Sequence, residues 1–421
     1  ARCDDDAVAN APTADRFRQL DERVAGIPVQ AELHPGAIHR RAVRIKDQAP
    51  QRSGRHAGAA PGSQYRAFGQ PSFHGSEHGL VDDRLLLVEH VLDELAEFGL
   101  AKQMQIVGPM IVTPGGTFTL KQLKIDEQAG KLYWADREGM AIQRCNLDGT
   151  HIETLVTTGS AKFNAGDQTR WCVGIALDPA RGHIYWSQKG GDNAGQGVIR
   201  RVDMVMPTGS TPTNRRDMVT LFSRLPEPID LDLDLKTRTL YWSDRGDNTI
   251  SRAPMDPAAG FSPATRLDGA LPGVFSIGHR NVYGMAWDPS TGQMWTSEFG
   301  PSGGDEINIE KPGHNYGWPD VSLGRNYTGR LMSPQPWYRE GVDMPVFFWN
   351  PTFNPENMIF YTGDKFPRLK NRLLVAGGGS KKIAQMVISD GDYARQGDTM
   401  LRDLNVRFRD IRQGPDGFIY V

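Results

Sequence analysis

Long apolar runs are missing from this 421-residue chain: no stretch approaches the roughly 18 consecutive apolar residues that a membrane-spanning helix needs. Charge of one sign is missing too. Lys and Arg number 48 against 50 Asp and Glu, a formal balance of -2, so no general field attracts nucleic acid or an anionic membrane. Cysteine is scarce: Cys3, Cys145 and Cys172 lie far apart without a CxxC unit. Nothing therefore points to a zinc site or a disulfide framework; a Cys145 to Cys172 bridge and a pair of buried free thiols both stay open. The chain opens ARCDDDAVANA, without Met and without the basic, apolar and small-residue regions of a signal peptide; a targeting segment removed or never present is expected.

Turn formers and aromatics are abundant instead. Hydrophobic residues make up only 38%, while 47 Gly, 28 Pro and 9 Trp suit tight turns and half-buried strands better than long helices. This favours an all-β fold. One unit recurs: an apolar strand, a turn with Asp, Gly or Pro, then a strand ending in an aromatic residue. It reads LKIDEQAGKLYW (123 to 134), VGIALDPARGHIYW (173 to 186), IDLDLDLKTRTLYW (229 to 242), YGMAWDPSTGQMW (283 to 295), IFYTGDKFPRLKNRLLV (359 to 375) and FRDIRQGPDGFIYV (408 to 421). The tryptophans at 134, 186, 242 and 295 are spaced by 52, 56 and 53 residues, close to the roughly 40 to 50 residues of a four-stranded propeller blade. Period-two alternation and hairpin turn residues fill each copy. A six-bladed β-propeller over residues 103–421 is expected. Because the sixth copy stops at Val421 within its second strand, residues 103–120 are expected to pair with the last blade and cover its open edge.

Residues 1–102 read as an extension, largely irregular. Residues 31–79 are rich in Arg, His, Gly, Gln, Ser and Pro, hold five of the ten histidines and show no sustained period, the composition of a segment without a packed core. A helix is expected near 82–98, where residues 85, 88, 92 and 95 share one face, with Asp82 or Asp83 at its start and Gly99 at its stop. The basic stretch from Arg40 to Arg55 reads as a solvated tail rather than a nucleic-acid contact.

KLYWADREGMAIQRCNLDG (131 to 149), HIYWSQKGG and TLYWSDRGDNTISRAPMD resemble the YWTD blades of low-density-lipoprotein-receptor-type propellers, over roughly 120–260. GHRN, SEFGPSGGDEIN, NYGWP, FYTGDKF and RFRDIRQGPDG, in that order from 278 to the end, resemble the soluble pyrroloquinoline-quinone-dependent glucose, aldose-sugar and sorbosone dehydrogenases.

The second resemblance implies calcium and a quinone bound in the funnel at the propeller axis. It implies oxidation of a sugar hydroxyl, an external electron acceptor, a periplasmic or secreted location, and a monomer or homodimer without nucleic-acid partners or a membrane span. By that likeness Arg280, Asn281, Thr352, Lys381 or Lys382, Arg407 and Arg409 would hold the cofactor. A planar tricarboxylate calls for several cations aimed at one cavity. The main-chain carbonyls of Gly300 and Pro301 would hold calcium, since a Gly-rich turn can aim two hard oxygens at one ion. Asp305 and Glu306 are further metal-ligand candidates.

The pattern breaks at the general base that such an oxidation needs. The likeness implies a histidine near Arg170 or Trp171 in QTRWCVGIALDP, and none stands there. Glu227 and His279 are weak candidates for that role. Phe299 and the pair Val282-Tyr283 also depart from the family pattern. Two other readings therefore stand beside a quinoprotein sugar dehydrogenase: a non-enzymatic YWTD-type propeller that binds a protein or glycan, and a calcium-dependent lactonase-like propeller.

Overall fold

Each Tyr-Trp pair of the repeat lies in the second strand of a four-stranded antiparallel sheet. The computed structural model describes strands Leu87–His90 and Met104–Ile106 and residues 118–258, 273–333, 338–389 and 392–421, all within the unit Glu77–Val421. Five meanders, residues 120–157, 172–225, 228–277, 282–349 and 355–400, form five blades in propeller arrangement. Their first strands, Leu120–Asp126, Cys172–Asp178, Pro228–Asp234, Val282–Trp287 and Pro355–Tyr361, follow one another side by side.

Alternation explains the Tyr-Trp pair. Successive side chains on a strand face opposite sides of the sheet, so one ring serves each neighbouring blade. Tyr133 of the first blade joins the cluster that holds Trp186 of the second, and Tyr185 joins the one that holds Trp242 of the third. Trp134, Trp186, Trp242 and Trp295 are among the largest side chains that are fully buried. A hydroxyl following the pair adds a polar tie. Ser187 Oγ donates to the carbonyl of Ile229 in the next blade at 2.8 Å and accepts from Gly174 N at 2.8 Å. Ser243 repeats this with Val282 and Asp230, both at 3.1 Å, and Ser297 donates to Glu356 O at 2.6 Å.

The chain's last copy is completed from the other end. A sixth four-stranded sheet runs Met104–Ile106, Leu87–His90, Ile419–Tyr420, Arg412–Gln413. Leu87 pairs with Tyr420 and Val88 with both Ile419 and Ile106. Arg412–Gln413 stands against Pro355–Tyr361 on one side and Leu120–Asp126 on the other. One expectation is corrected here over four residues: Leu87–His90 is a strand, not part of the helix expected at 82–98, because an unpaired edge at Ile419–Tyr420 outweighs a local helical pattern. Residues 104–106, from the segment expected to close the ring, join the same sheet as Ile419–Tyr420 through that strand. The remainder of residues 1–102, including Cys3 and the basic stretch, lies outside the described residues. Cys145 and Cys172 are free and buried, each thiol pushed up to about 12 by burial, so no bridge joins them. Among the described residues no helix is long and apolar enough to cross a membrane.

Candidate functional site

In an antiparallel meander the segment leading into the first strand and the turn joining the second to the third lie at the same end. Arg280, Asn281, Thr352, Arg407 and Arg409 occupy segments of the first kind, and Gly300, Pro301 and Lys381 turns of the second. Acids at the ends of the second strands hold these segments. Asp136 accepts from Phe118 N and Thr119 N at 2.8 Å, Asp244 from Glu227 N at 2.8 Å, and Glu298 from Arg280 N at 2.7 Å and Asn281 N at 3.4 Å. Burial raises the carboxyls of Asp136 and Asp244, the latter to about 7.

Arg280 is half-buried. One guanidinium nitrogen donates to the carbonyls of Phe299 at 3.0 Å and Gly300 at 3.1 Å; the other reaches Tyr327 Oη at 3.2 Å. The guanidinium also lies 5.3 Å from the Trp318 ring. Asn281 is buried, and its Oδ1 has no partner. Asp305, expected as a metal ligand, is fully buried and committed elsewhere. It accepts from Gly300 N at 2.8 Å and from Thr352 Oγ1, Phe353 N and Asn354 N at 2.6 Å each. It thereby ties the GPSGGDE turn to the segment that carries Thr352. Glu306 lines the cleft beneath Arg280 with Glu298, Trp318 and Tyr316; burial first, then the charge of Glu298, pushes its carboxyl well up.

His279, a weak candidate for the base, is committed on both ring nitrogens. Its imidazole is buried between Glu298 Oε1 at 3.2 Å and Glu310 Oε2 at 3.4 Å, stacked on Tyr316 at 4.8 Å. Burial opposes its charge, but Glu310 and Glu298 outweigh it and raise the pKa to about 10. Glu227 is equally committed: Lys189 Nζ donates to Oε1 at 2.6 Å, Arg245 Nε to Oε2 at 3.0 Å, and Arg245 Nη2 to Oε1.

Lys381, in a left-handed turn at φ 53°, donates to Asn405 Oδ1 at 3.1 Å, and Lys382 Nζ lies 5.9 Å from the Phe353 ring. Arg407 is exposed. Arg409 pairs with Glu356 Oε1 at 2.9 Å rather than with Asp410, which Arg412 engages, or with Asp403. Glu356 also accepts from Lys121 at 3.1 Å, both almost fully buried. A continuous path of contacts thus links the two ends of the expected set: Arg280 to Phe299, Phe299 to Tyr283 at 4.6 Å, Tyr283 to Lys121 at 3.9 Å, then Glu356 and Arg409.

Beside this path lies a cavity of roughly 250 Å³ whose lining includes Lys121, Trp171, Lys189, Glu227, Arg245 and Tyr283. Trp171 occupies the place where a histidine was sought. Lys121, Lys189, Arg245 and Glu356 escaped the reading of the sequence. Period two would have turned Lys121 inward from LKQLKID, but the ion pairs join residues up to 235 apart, which no local spacing records.

The fold therefore defines a β-propeller with a charged, aromatic-lined end, and comparison with known proteins adds a family match over the C-terminal part. Residues 257–421 match the Glucose / Sorbosone dehydrogenase family model, which upholds the resemblance read from the C-terminal motifs. The chain is 38% identical over 196 residues to the aldose sugar dehydrogenase YliI of Escherichia coli, covering 46% of this chain and 50% of that one. It is 46% identical over 134 residues to a protein of Pyricularia oryzae named low-density lipoprotein receptor-related protein 1, covering 31% and 42%. A crystal structure of the soluble aldose sugar dehydrogenase from Escherichia coli in the apo-form superimposes with a TM-score of 0.58 at 24% identity, covering 72% of this chain and 92% of that one; this likeness concerns the fold. The chain spans about a third to a half of the length of the curated relatives it matches.

Proposed function

We propose that this end is the active site of a sugar dehydrogenase-like oxidoreductase of the quinoprotein type, carrying pyrroloquinoline quinone and calcium and acting on the hydroxyl of an aldose. The observation that carries the reading is the contact path that sets Arg280 and Arg409, 129 positions apart in the chain, at one end of the propeller with Lys381 and Arg407 on neighbouring segments. Guanidinium and ammonium groups on separate loops suit a rigid tricarboxylate. For the metal, the carbonyls of Phe299 and Gly300 already converge on a cation, the Arg280 guanidinium, so main-chain oxygens of this turn fit a hard ion. Gly300 and Pro301 are the residues we assign to calcium, and Arg280 would exchange the Gly300 carbonyl for a cofactor carboxylate. Asp305 acts by holding the turn against Thr352, and Glu306 is a candidate ligand in the cleft. When bound, such a cofactor accepts hydride, with the metal polarising the accepting carbonyl.

The chain's own residues orient and exclude water. Trp171 and Tyr283 line the cavity with aromatic rings beside which a sugar could pack, and Lys189, Arg245 and Glu227 form a fixed polar wall. We count the terminal sheet as the sixth blade. A periplasmic or secreted location and an external electron acceptor belong to the same reading. The competing reading, a propeller that binds a protein or glycan without turnover, is favoured by Trp171 in the histidine's place. Calorimetry with quinone, with and without calcium, together with dye-linked aldose oxidation, separates the two. Calcium-dependent binding with turnover is expected; a folded preparation that binds no quinone overturns the dehydrogenase reading.

A further inference from the structure

We infer that Glu356 is an internal competitor that sets the charge of this end: it occupies Lys121 and Arg409 in the ligand-free chain and is displaced from Arg409 by a ligand carboxylate. The inference rests on the reading of this end as a polycarboxylate site.

The geometry is that of one anion shared by two cations. Glu356 is 3% exposed at the foot of Pro355–Tyr361, with one carboxylate oxygen 3.1 Å from Lys121 Nζ and the other 2.9 Å from Arg409 Nη1. The Lys121 side chain is only 3% exposed, and the Arg409 side chain 20%. Gly378 leaves room for the carboxylate, since a Cβ there would stand 2.5 Å from Glu356 Oε1. Arg409 is only half used. Its Nε is buried without any acceptor, a costly state for a charged donor. A planar guanidinium has five donors in a fork, and here one edge faces Glu356 while another awaits an oxygen. Lys121 has a second partner, the Tyr283 ring face at 3.9 Å, and on the other carboxylate oxygen it keeps Glu356 in place when Arg409 turns to a ligand carboxylate.

Two consequences follow with opposite signs. Removing the Glu356 charge leaves two poorly hydrated cations without their shared carboxylate, which destabilises the ligand-free fold. The same change removes repulsion against an incoming carboxylate and leaves Arg409 unpaired, so an anionic ligand binds more tightly and its stabilisation by mass action grows. A residue that merely held Arg409 in place would lower stability and weaken binding together.

The test titrates the full chain and its Glu356→Gln variant with two probes, citrate as a simple tricarboxylate and pyrroloquinoline quinone with calcium, by calorimetry and thermal shift. The variant is expected to melt lower without ligand, to bind citrate about tenfold more tightly, and to gain more in Tm on ligand addition than the parent. Should Glu356→Gln not fold, Lys121→Met with Glu356→Gln removes the other unpaired cation and must show the same tightening. Unchanged or weaker binding of both probes overturns the role of Glu356. Tighter citrate binding with no quinone binding by either protein keeps that role and sinks the quinone reading. Quinone binding by the parent that Glu356→Gln fails to tighten does the reverse.

Discussion

His279 shows how a residue in a functional motif can be structural. Held between Glu298 and Glu310 with a pKa near 10, it is raised above its ordinary value of 6.5. Its contribution is therefore complete below about pH 6.5 and is lost as pH rises toward 10. His279→Leu leaves two buried carboxylates without their cation, an expected cost of about 3 to 5 kcal/mol. Denaturant unfolding at pH 7 and pH 10 checks this: the penalty should shrink at the higher pH. Asp230 runs the other way. It lies buried on Pro228–Asp234 and accepts from Gln122 Nε2 at 2.5 Å, while its Oδ2 has no partner. Burial raises it to about 7, so the fold disfavours its ionised form and stability falls as pH rises from about 4 to 7. Asp230→Asn should flatten that slope in thermal melts across the same range. The nearness of Arg280 to the GPSGGDE turn was legible because GHRN and GPSGGDE lie close in sequence and flank one hairpin. Glu356 was not, because its meaning depends on a lysine 235 positions earlier.

At the scale of the strand, the Tyr-Trp repeat was readable because period two assigns each ring to a different neighbour, and the buried tryptophans follow from it. The hydroxyl ties were present in the same letters, YWS, YWS and WTS, but a serine carries no sign of whether it faces a backbone carbonyl of the next blade. Ser187→Ala leaves the Ile229 carbonyl and the Gly174 amide without that partner and should cost about 1 to 3 kcal/mol. Ser243→Ala should cost about the same, and the pair should add, since the two sites lie in different blades. Denaturant midpoints of the single and double variants check both statements. Over Leu87–His90 a tertiary demand overrode the local helical pattern: the strand there satisfies Tyr420 and Ile419 across the chain.

For the molecule as a whole, the terminal sheet stands between the first and the fifth blade. Val88 joins Ile419 on one side and Ile106 on the other, so Val88→Pro removes a ladder donor and forces φ. Faster hydrogen exchange at residues 412–421 with a lower Tm is the expected result. An unchanged exchange pattern would mean that residues 87–90 do not complete the sheet. The proposed function depends at this scale on loops of different blades meeting at one end, and the proposed cofactor cations Arg280, Lys381, Arg407 and Arg409 all fall within the family match over residues 257–421. The most direct test is a calorimetric titration of pyrroloquinoline quinone, in the presence of calcium, into the parent chain, Arg280→Ala and Arg409→Ala. We predict binding by the parent and a loss of about tenfold or more in each variant; binding that neither substitution weakens would contradict a shared site.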